Sequence, residues 1–167
     1  APINYILYAQ FCSKDVYADI QHNKHNCFIR EIKVPITNQQ QQPIELEGLC
    51  IDPYVLAKKK PYRTIFYIPG SFATIKHNCL PRLLETAEYM KARIILFNNE
   101  GCGDSPGNVS SLRDLRSSHF KAFQYLINKF NIKKLNIWSH SNGAYLHLST
   151  LKDLANSLSK KISFGIQ

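Results

Sequence analysis

Two serines lie two residues apart in the stretch Leu135–Leu148, which reads LNIWSHSNGAYLHL. A serine hydroxyl can attack an acyl carbon, but at neutral pH it is a weak nucleophile and needs an adjacent base. The backbone around it must also hold it out toward a substrate. The apolar run Leu135-Asn136-Ile137-Trp138 leads into Ser139-His140-Ser141-Asn142-Gly143, and a helix-compatible segment begins at Ala144. A strand turning sharply into a helix, with a serine at the apex, is the shape of a nucleophile elbow. The apex residue takes a strained backbone conformation. The residues two before and two after it approach closely and must be small. Here they are Ser139 and Gly143. Glycine is usual at both places, so Ser139 is a departure, to the next smallest polar residue.

Other residues with chemical potential fare less well. His140 adjoins the apex serine, but neighbours on a strand point to opposite faces, so it is poorly placed as the base. After Ser141 come one histidine, His147, and one acid, Asp153, both on the helix that follows the elbow. Neither sits at a strand-end loop. His119 falls on the apolar face of its own helix and reads as a satisfied core histidine, whereas His77 reads as a surface residue. Asp104 reads as a brace for its loop. Cys102 lies between glycines, where no base or activating charge can be read. The five cysteines, Cys12, Cys27, Cys50, Cys79 and Cys102, are widely spaced and make no Cys/His ligand pattern. Zinc or another metal is therefore not expected, nor is any cofactor, and free thiols in a reducing compartment are the default.

The remaining chain must supply the frame. Residues 1–26 show Ile3, Ile6, Leu7, Phe11, Val16 and Ile20 at helical intervals, predicting an N-terminal helical arm. Cys27–Ile36 and Ile44–Ile51 alternate apolar and polar residues around a glutamine-rich loop, as an antiparallel hairpin does. Thr64–Ile68 and Arg93–Phe97 are continuous apolar runs, the pattern of strands buried on both faces. Helices are predicted over Leu80–Lys91, over Ser111–Phe130 with Leu112, Leu115, His119, Phe123, Leu126, Ile127 and Phe130 on one face, and over Asn142–Leu158. Lys161–Ile166 reads as one more strand. Strands alternating with helices predict an α/β three-layer sandwich with a mostly parallel sheet, in a domain spanning 27–167.

At 167 residues the chain is long enough for one domain with a sizeable core, and 44% hydrophobic content suits a globular protein. It shows neither a membrane-spanning run nor a signal-peptide pattern. The first residue is not methionine, which fits a processed chain or a fragment. The net charge of +9 is concentrated at Lys58-Lys59-Lys60, Lys133-Lys134 and Lys160-Lys161, beside predicted loops. Without aromatic interleaving or a nucleic-acid motif, this reads as a solvated basic surface and no nucleic-acid partner is expected. Such a surface is compatible with an anionic membrane face.

Three motifs in series resemble the α/β-hydrolase superfamily over residues 27–166. They are the strand end Pro69-Gly70-Ser71, the loop Asn98-Asn99-Glu100-Gly101-Cys102-Gly103-Asp104-Ser105-Pro106-Gly107, and the elbow Ser139–Gly143. The middle loop with Val109-Ser110, and the helix carrying Ala122-Phe123-Gln124, more particularly resemble lipase-like effectors of intracellular bacteria. That likeness would allow secretion. The superfamily resemblance implies Ser141 as nucleophile and the backbone N–H groups of Asn142 and Ser71, with Phe72 next, as the oxyanion hole. It also implies a small-molecule or lipid acyl substrate. Pro69 stands where the family commonly has histidine. The resemblance further implies an acid and a histidine beyond later strands, and this sequence, ending at Gln167, shows neither. The expectation is a serine hydrolase of esterase or lipase type, its fold incomplete at the C-terminus. The rival is a catalytically incomplete homologue acting as a binding or scaffold protein.

Overall fold

A computed structural model describes residues 27–54, 63–70, 75 and 80–158. The expectations for the arm at 1–26, for Ser71, Phe72 and His77, and for a strand at 161–166 lie outside the described residues.

The hairpin forms as β1 (Cys27–Thr37) and β2 (Pro43–Pro53), paired antiparallel with Ile32 opposite Gly48. There follow β3 (Thr64–Ile68), α1 (Leu80–Met90), β4 (Arg93–Phe97), α2 (Leu112–Lys129), β5 (Asn136–Ser139) and α3 (Gly143–Leu158). The described strands make one sheet in the order β1-β2-β4-β3-β5. It is mixed. β2 joins β4 antiparallel, while β4, β3 and β5 run parallel, so the parallel half is the half that ends at the elbow.

Strand alternation divides the core into two layers. Phe66 and Ile68 of β3, with Ile95 and Phe97 of β4, face α2 and α3 and meet Ala122, Phe123, Leu126, Leu146 and Leu154. Ile65 and Tyr67, with Ile94 and Leu96, face α1 and meet Leu80, Leu83, Leu84 and Ala87. A central strand with helices on both faces needs apolar side chains at every position, which explains the unbroken runs TIFYI and RIILF. Each fully buried Phe, Leu or Ile stabilises this arrangement by about 1.5–3 kcal/mol.

Local chemistry sets the helix ends. Ser111 caps α2 by accepting the Asp114 N–H at 3.1 Å, and Asp114 also places a negative charge in the first turn. Asn131, at φ 49°, ends the same helix in the left-handed region, where asparagine is tolerated. One expected core position differs. Leu112 is 56% exposed. Full burial along α2 begins only at Ser118, so the first turns overhang the sheet.

Candidate functional site

The parallel strands β3, β4 and β5 deliver three loops to their C-terminal ends, where ligands of open α/β sheets bind. The elbow is built as its residue types require. β5 ends at Ser139, and the His140 N–H donates to the Ile68 carbonyl at 3.1 Å, so the chain leaves the sheet still fastened to β3. Ser141 then takes φ 53°, left-handed for a residue with a side chain. The Gly143 N–H donates to the His140 carbonyl at 2.9 Å and the Ala144 N–H to the Ser141 carbonyl at 2.9 Å, starting α3 at once. Gly143 has no room for a side chain. A Cβ there would lie 2.6 Å from the carbonyl oxygens of Ile68 and of Pro69.

Ser141 is exposed at the apex, and its hydroxyl has no hydrogen-bond partner among the described residues. The Asn142 N–H, just ahead of α3, is likewise unclaimed among them. Gly70 faces the apex closely: a Cβ on it would stand 3.3 Å from Ser141 Cβ. The strand end Pro69-Gly70 and the elbow are therefore in contact. Ser71, the expected second oxyanion donor, is outside the described residues.

No described histidine or carboxylate hydrogen-bonds Ser141. His147 Nδ1 instead lies 3.0 Å from Ser139 Oγ, and both residues are half-buried between β5 and α3. Burial holds the His147 imidazole below its ordinary pKa. Asp153 pairs with Arg116 of α2 at 2.5 Å. His119 is indeed a core histidine, stacked near Phe97 and Phe123, with Nδ1 2.9 Å from Asn99 Oδ1. It is only half satisfied, because its buried Nε2 has no partner among the described residues. Burial, then the nearby His147, push its pKa down to about 3.

The loop Asn98–Gly107 rests on buried polar side chains that the sequence reading did not single out. Glu47 of β2 accepts from Asn98 Nδ2 at 2.8 Å and from the Asp104 N–H at 3.4 Å. Ser105 Oγ accepts the Glu47 N–H at 2.9 Å. Glu100 takes Asn38 Nδ2 at 3.1 Å and the Ser118 hydroxyl. Gly107, at φ 101°, leaves the space that the Glu100 carboxylate fills, since a Cβ there would lie 2.5 Å from it. Asp104 meets Glu47 through its main-chain N–H. Glu47 is one of two glutamates in β2, and unlike the exposed Glu45 it is buried. Cys102 is half-buried, and burial raises its thiol pKa, which does not favour a reactive thiolate.

Among the described residues no group of three His, Cys, Asp or Glu side chains could hold a metal ion, and Cys27, Cys50 and Cys102 are free thiols. No described helix is long and apolar enough to cross a membrane.

No family model matches the chain, and no curated protein sequence does. Solved structures do. An esterase from the hyperthermophilic archaeon Pyrobaculum calidifontis matches at TM-score 0.65 and 8% identity, over 93% of this chain and 49% of that one. An esterase from Pyrococcus furiosus matches at TM-score 0.56 and 17% identity, over 80% and 47%. A 2-hydroxy-6-oxo-6-phenylhexa-2,4-dienoate hydrolase from Rhodococcus matches at TM-score 0.52 and 14% identity, over 76% and 43%. The chain has the α/β-hydrolase fold. It spans about half the length of these solved structures. Of the α/β-hydrolase architecture, the described residues hold the sheet from the antiparallel hairpin through β5, with the helix that follows.

Proposed function

We propose that this chain carries the nucleophile half of a serine hydrolase that cleaves an ester, thioester or amide. The observation that carries the reading is Ser141 at φ 53°, lifted above a glycine that admits no Cβ and facing Gly70. This geometry costs stability and suits a hydroxyl held out to a substrate.

In the proposed reaction Ser141 Oγ attacks the acyl carbon while its proton passes to an imidazole. The carbonyl oxygen becomes an oxyanion, held by the Asn142 N–H and by the Ser71 N–H, each such donor being worth about 2.7–4 kcal/mol of barrier. The leaving alcohol, thiol or amine departs with the imidazole's proton. Water, deprotonated by the same imidazole, then attacks the acyl-enzyme and frees Ser141 and the acid. The imidazole and its orienting carboxylate come from outside the described residues. The esterases and the hydrolase that share the fold support hydrolysis as the reaction class. A small-molecule or lipid acyl group fits the open, exposed apex.

One observation favours a second reading. His147 and Asp153 are both committed elsewhere, to Ser139 and to Arg116. A catalytically incomplete homologue that binds without cleaving would look the same over these residues. A fluorophosphonate probe on the full-length protein separates the two. Covalent labelling of wild type that disappears in Ser141→Ala is the expected result. Labelling that survives in Ser141→Ala overturns the nucleophile assignment, and a wild type that never labels supports the binding protein.

A further inference from the structure

Of the three described histidines, two are committed inside the fold: His119 is buried and bonded to Asn99, and His147 is half-buried against Ser139. His140 differs. Its main chain is held at both polar groups, the N–H by the Ile68 carbonyl at 3.1 Å and the carbonyl by the Gly143 N–H at 2.9 Å. Its side chain is exposed, and neither ring nitrogen has a hydrogen-bond partner among the described residues. Gly70 shows where the ring lies. A Cβ on that buried glycine would stand 3.3 Å from Ser141 Cβ and 3.7 Å from His140 Nδ1. The two side chains therefore border the same bare face of Gly70. Alternation along an ideal strand would put them on opposite sides. β5 has ended by then, at Ser139, and the left-handed turn at Ser141, φ 53°, breaks the alternation. An unpaired imidazole thus stands beside the candidate nucleophile, over the end of β3.

We propose that His140 is a specificity-determining residue: its imidazole N–H donates a hydrogen bond to an anionic oxygen, of a carboxylate or phosphate group, that the substrate carries near its scissile bond. The role rests on Ser141 being the nucleophile. With the acyl carbon over Ser141, the part of the substrate lying on the β3 side meets the imidazole. The ring offers at least one N–H donor in every protonation state. An apolar group pressed against it would leave that donor without a partner, which costs binding. An anionic oxygen satisfies it, and hydrogen bonds to ionised acceptors are the stronger kind. No described carboxylate bonds to the ring in the substrate's place. The net charge of +9 also favours the approach of an anionic substrate over a neutral one. Because both main-chain polar groups of His140 are fixed, the ring is presented from a base that binding need not order.

The test uses the full-length protein and two pairs of esters. Mono-4-nitrophenyl adipate and its methyl ester differ by a charge on the acyl side. 4-Acetoxybenzoate and its methyl ester differ by a charge on the leaving side. The quantity read is kcat/KM for the charged member over that for its neutral partner, at one pH, in wild type, H140F, H140A and H140Q. The ratio cancels a general loss from a disturbed elbow, which a merely structural role would give. In one of the pairs, H140F and H140A each lower the ratio about tenfold, the size of one hydrogen bond to a charged group. H140Q keeps an N–H donor and recovers most of it. H140A keeps the test open should the phenylalanine variant fail to fold. Ratios unchanged in both pairs when the imidazole is removed would overturn the proposal. So would an H140Q ratio as low as that of H140A, since a donor would then not be what the site needs. Fluorophosphonate labelling separates the two levels of failure. A wild type that labels at Ser141 but shows unchanged ratios loses only the role of His140, whereas one that never labels removes the nucleophile reading and this role with it.

Discussion

Ser139 Oγ and His147 Nδ1 stand 3.0 Å apart, a hydrogen bond that ties the last residue of β5 to the second turn of α3 and so straddles the elbow. The pair has the composition of a nucleophile and its base. Its placement argues otherwise, since both side chains are half-buried between sheet and helix while Ser141 is exposed at the apex. The bond is a strut. It replaces the tight glycine packing usual at that strand position with one polar contact.

The strut can be measured. His147→Leu and Ser139→Ala each remove it, and each should destabilise the protein by about 0.5–1.5 kcal/mol. The double variant should cost less than the sum, because each single change already breaks the bond. Urea denaturation of the four proteins gives the coupling. Fluorophosphonate labelling should persist in Ser139→Ala. Its loss there, together with survival in Ser141→Ala, would make Ser139 and His147 the reacting pair.

Gly143 offers a sharper steric test. The atoms that a new Cβ would meet are the main-chain carbonyl oxygens of Ile68 and Pro69, at 2.6 Å, and neither is the free end of a side chain. Gly143→Ala must push α3 off β3 or distort the elbow. The expected loss is about 1–3 kcal/mol or more, seen as a lowered urea midpoint. Gly70→Ala meets Ser141 Cβ at the milder distance of 3.3 Å. It should spare stability and slow labelling, because it shifts the strand end against the nucleophile.

Ser141 carries strain that substitution can release. At φ 53° any residue with a Cβ is disfavoured and glycine is not. Ser141→Gly should therefore be more stable than Ser141→Ala, by about 1 kcal/mol. Thermal denaturation of the two variants decides it. Equal stabilities would mean that the elbow relaxes once the hydroxyl is gone.

The sequence announced the elements well, for reasons that can be named. After the half-buried Thr64 and Arg93, TIFYI and RIILF are apolar at every position because both faces of a central strand are covered, and these strands formed at Thr64–Ile68 and Arg93–Phe97. Gly143 was legible because small size at that place is a steric necessity. Leu112 misled because helical periodicity reports which face a residue shares, and not whether the sheet extends beneath it. The buried partners of the loop were harder still. Glu47 with Asn98, and Glu100 with Asn38, are buried polar pairs whose members lie 51 and 62 positions apart in sequence. Local pattern carries no trace of such pairings. Ser139 and His147 lie only eight residues apart, yet their contact depends on the angle between β5 and α3, which spacing does not give.

His119 gives the protein a predictable response to acid. Its ring lies among Phe97 and Phe123, Nδ1 is the donor to Asn99 Oδ1, and Nε2 faces no partner among the described residues. Burial, with His147 nearby, lowers its pKa to about 3, against about 6.5 in an unfolded chain. Between those values the unfolded state binds a proton that the folded state refuses, so stability rises with pH across that window and falls as pH drops through it. His147, also held low by burial, acts in the same direction. Wild type should therefore lose stability steadily from about pH 6.5 downward. His119→Phe should flatten that slope, because phenylalanine cannot take the proton. At pH 8 the same variant should be weaker by about 1–3 kcal/mol, since Asn99 Oδ1 is left buried without its donor. Urea midpoints from pH 4 to pH 8 for both proteins test both statements, and an unchanged slope in His119→Phe would show that the acid response belongs to other groups.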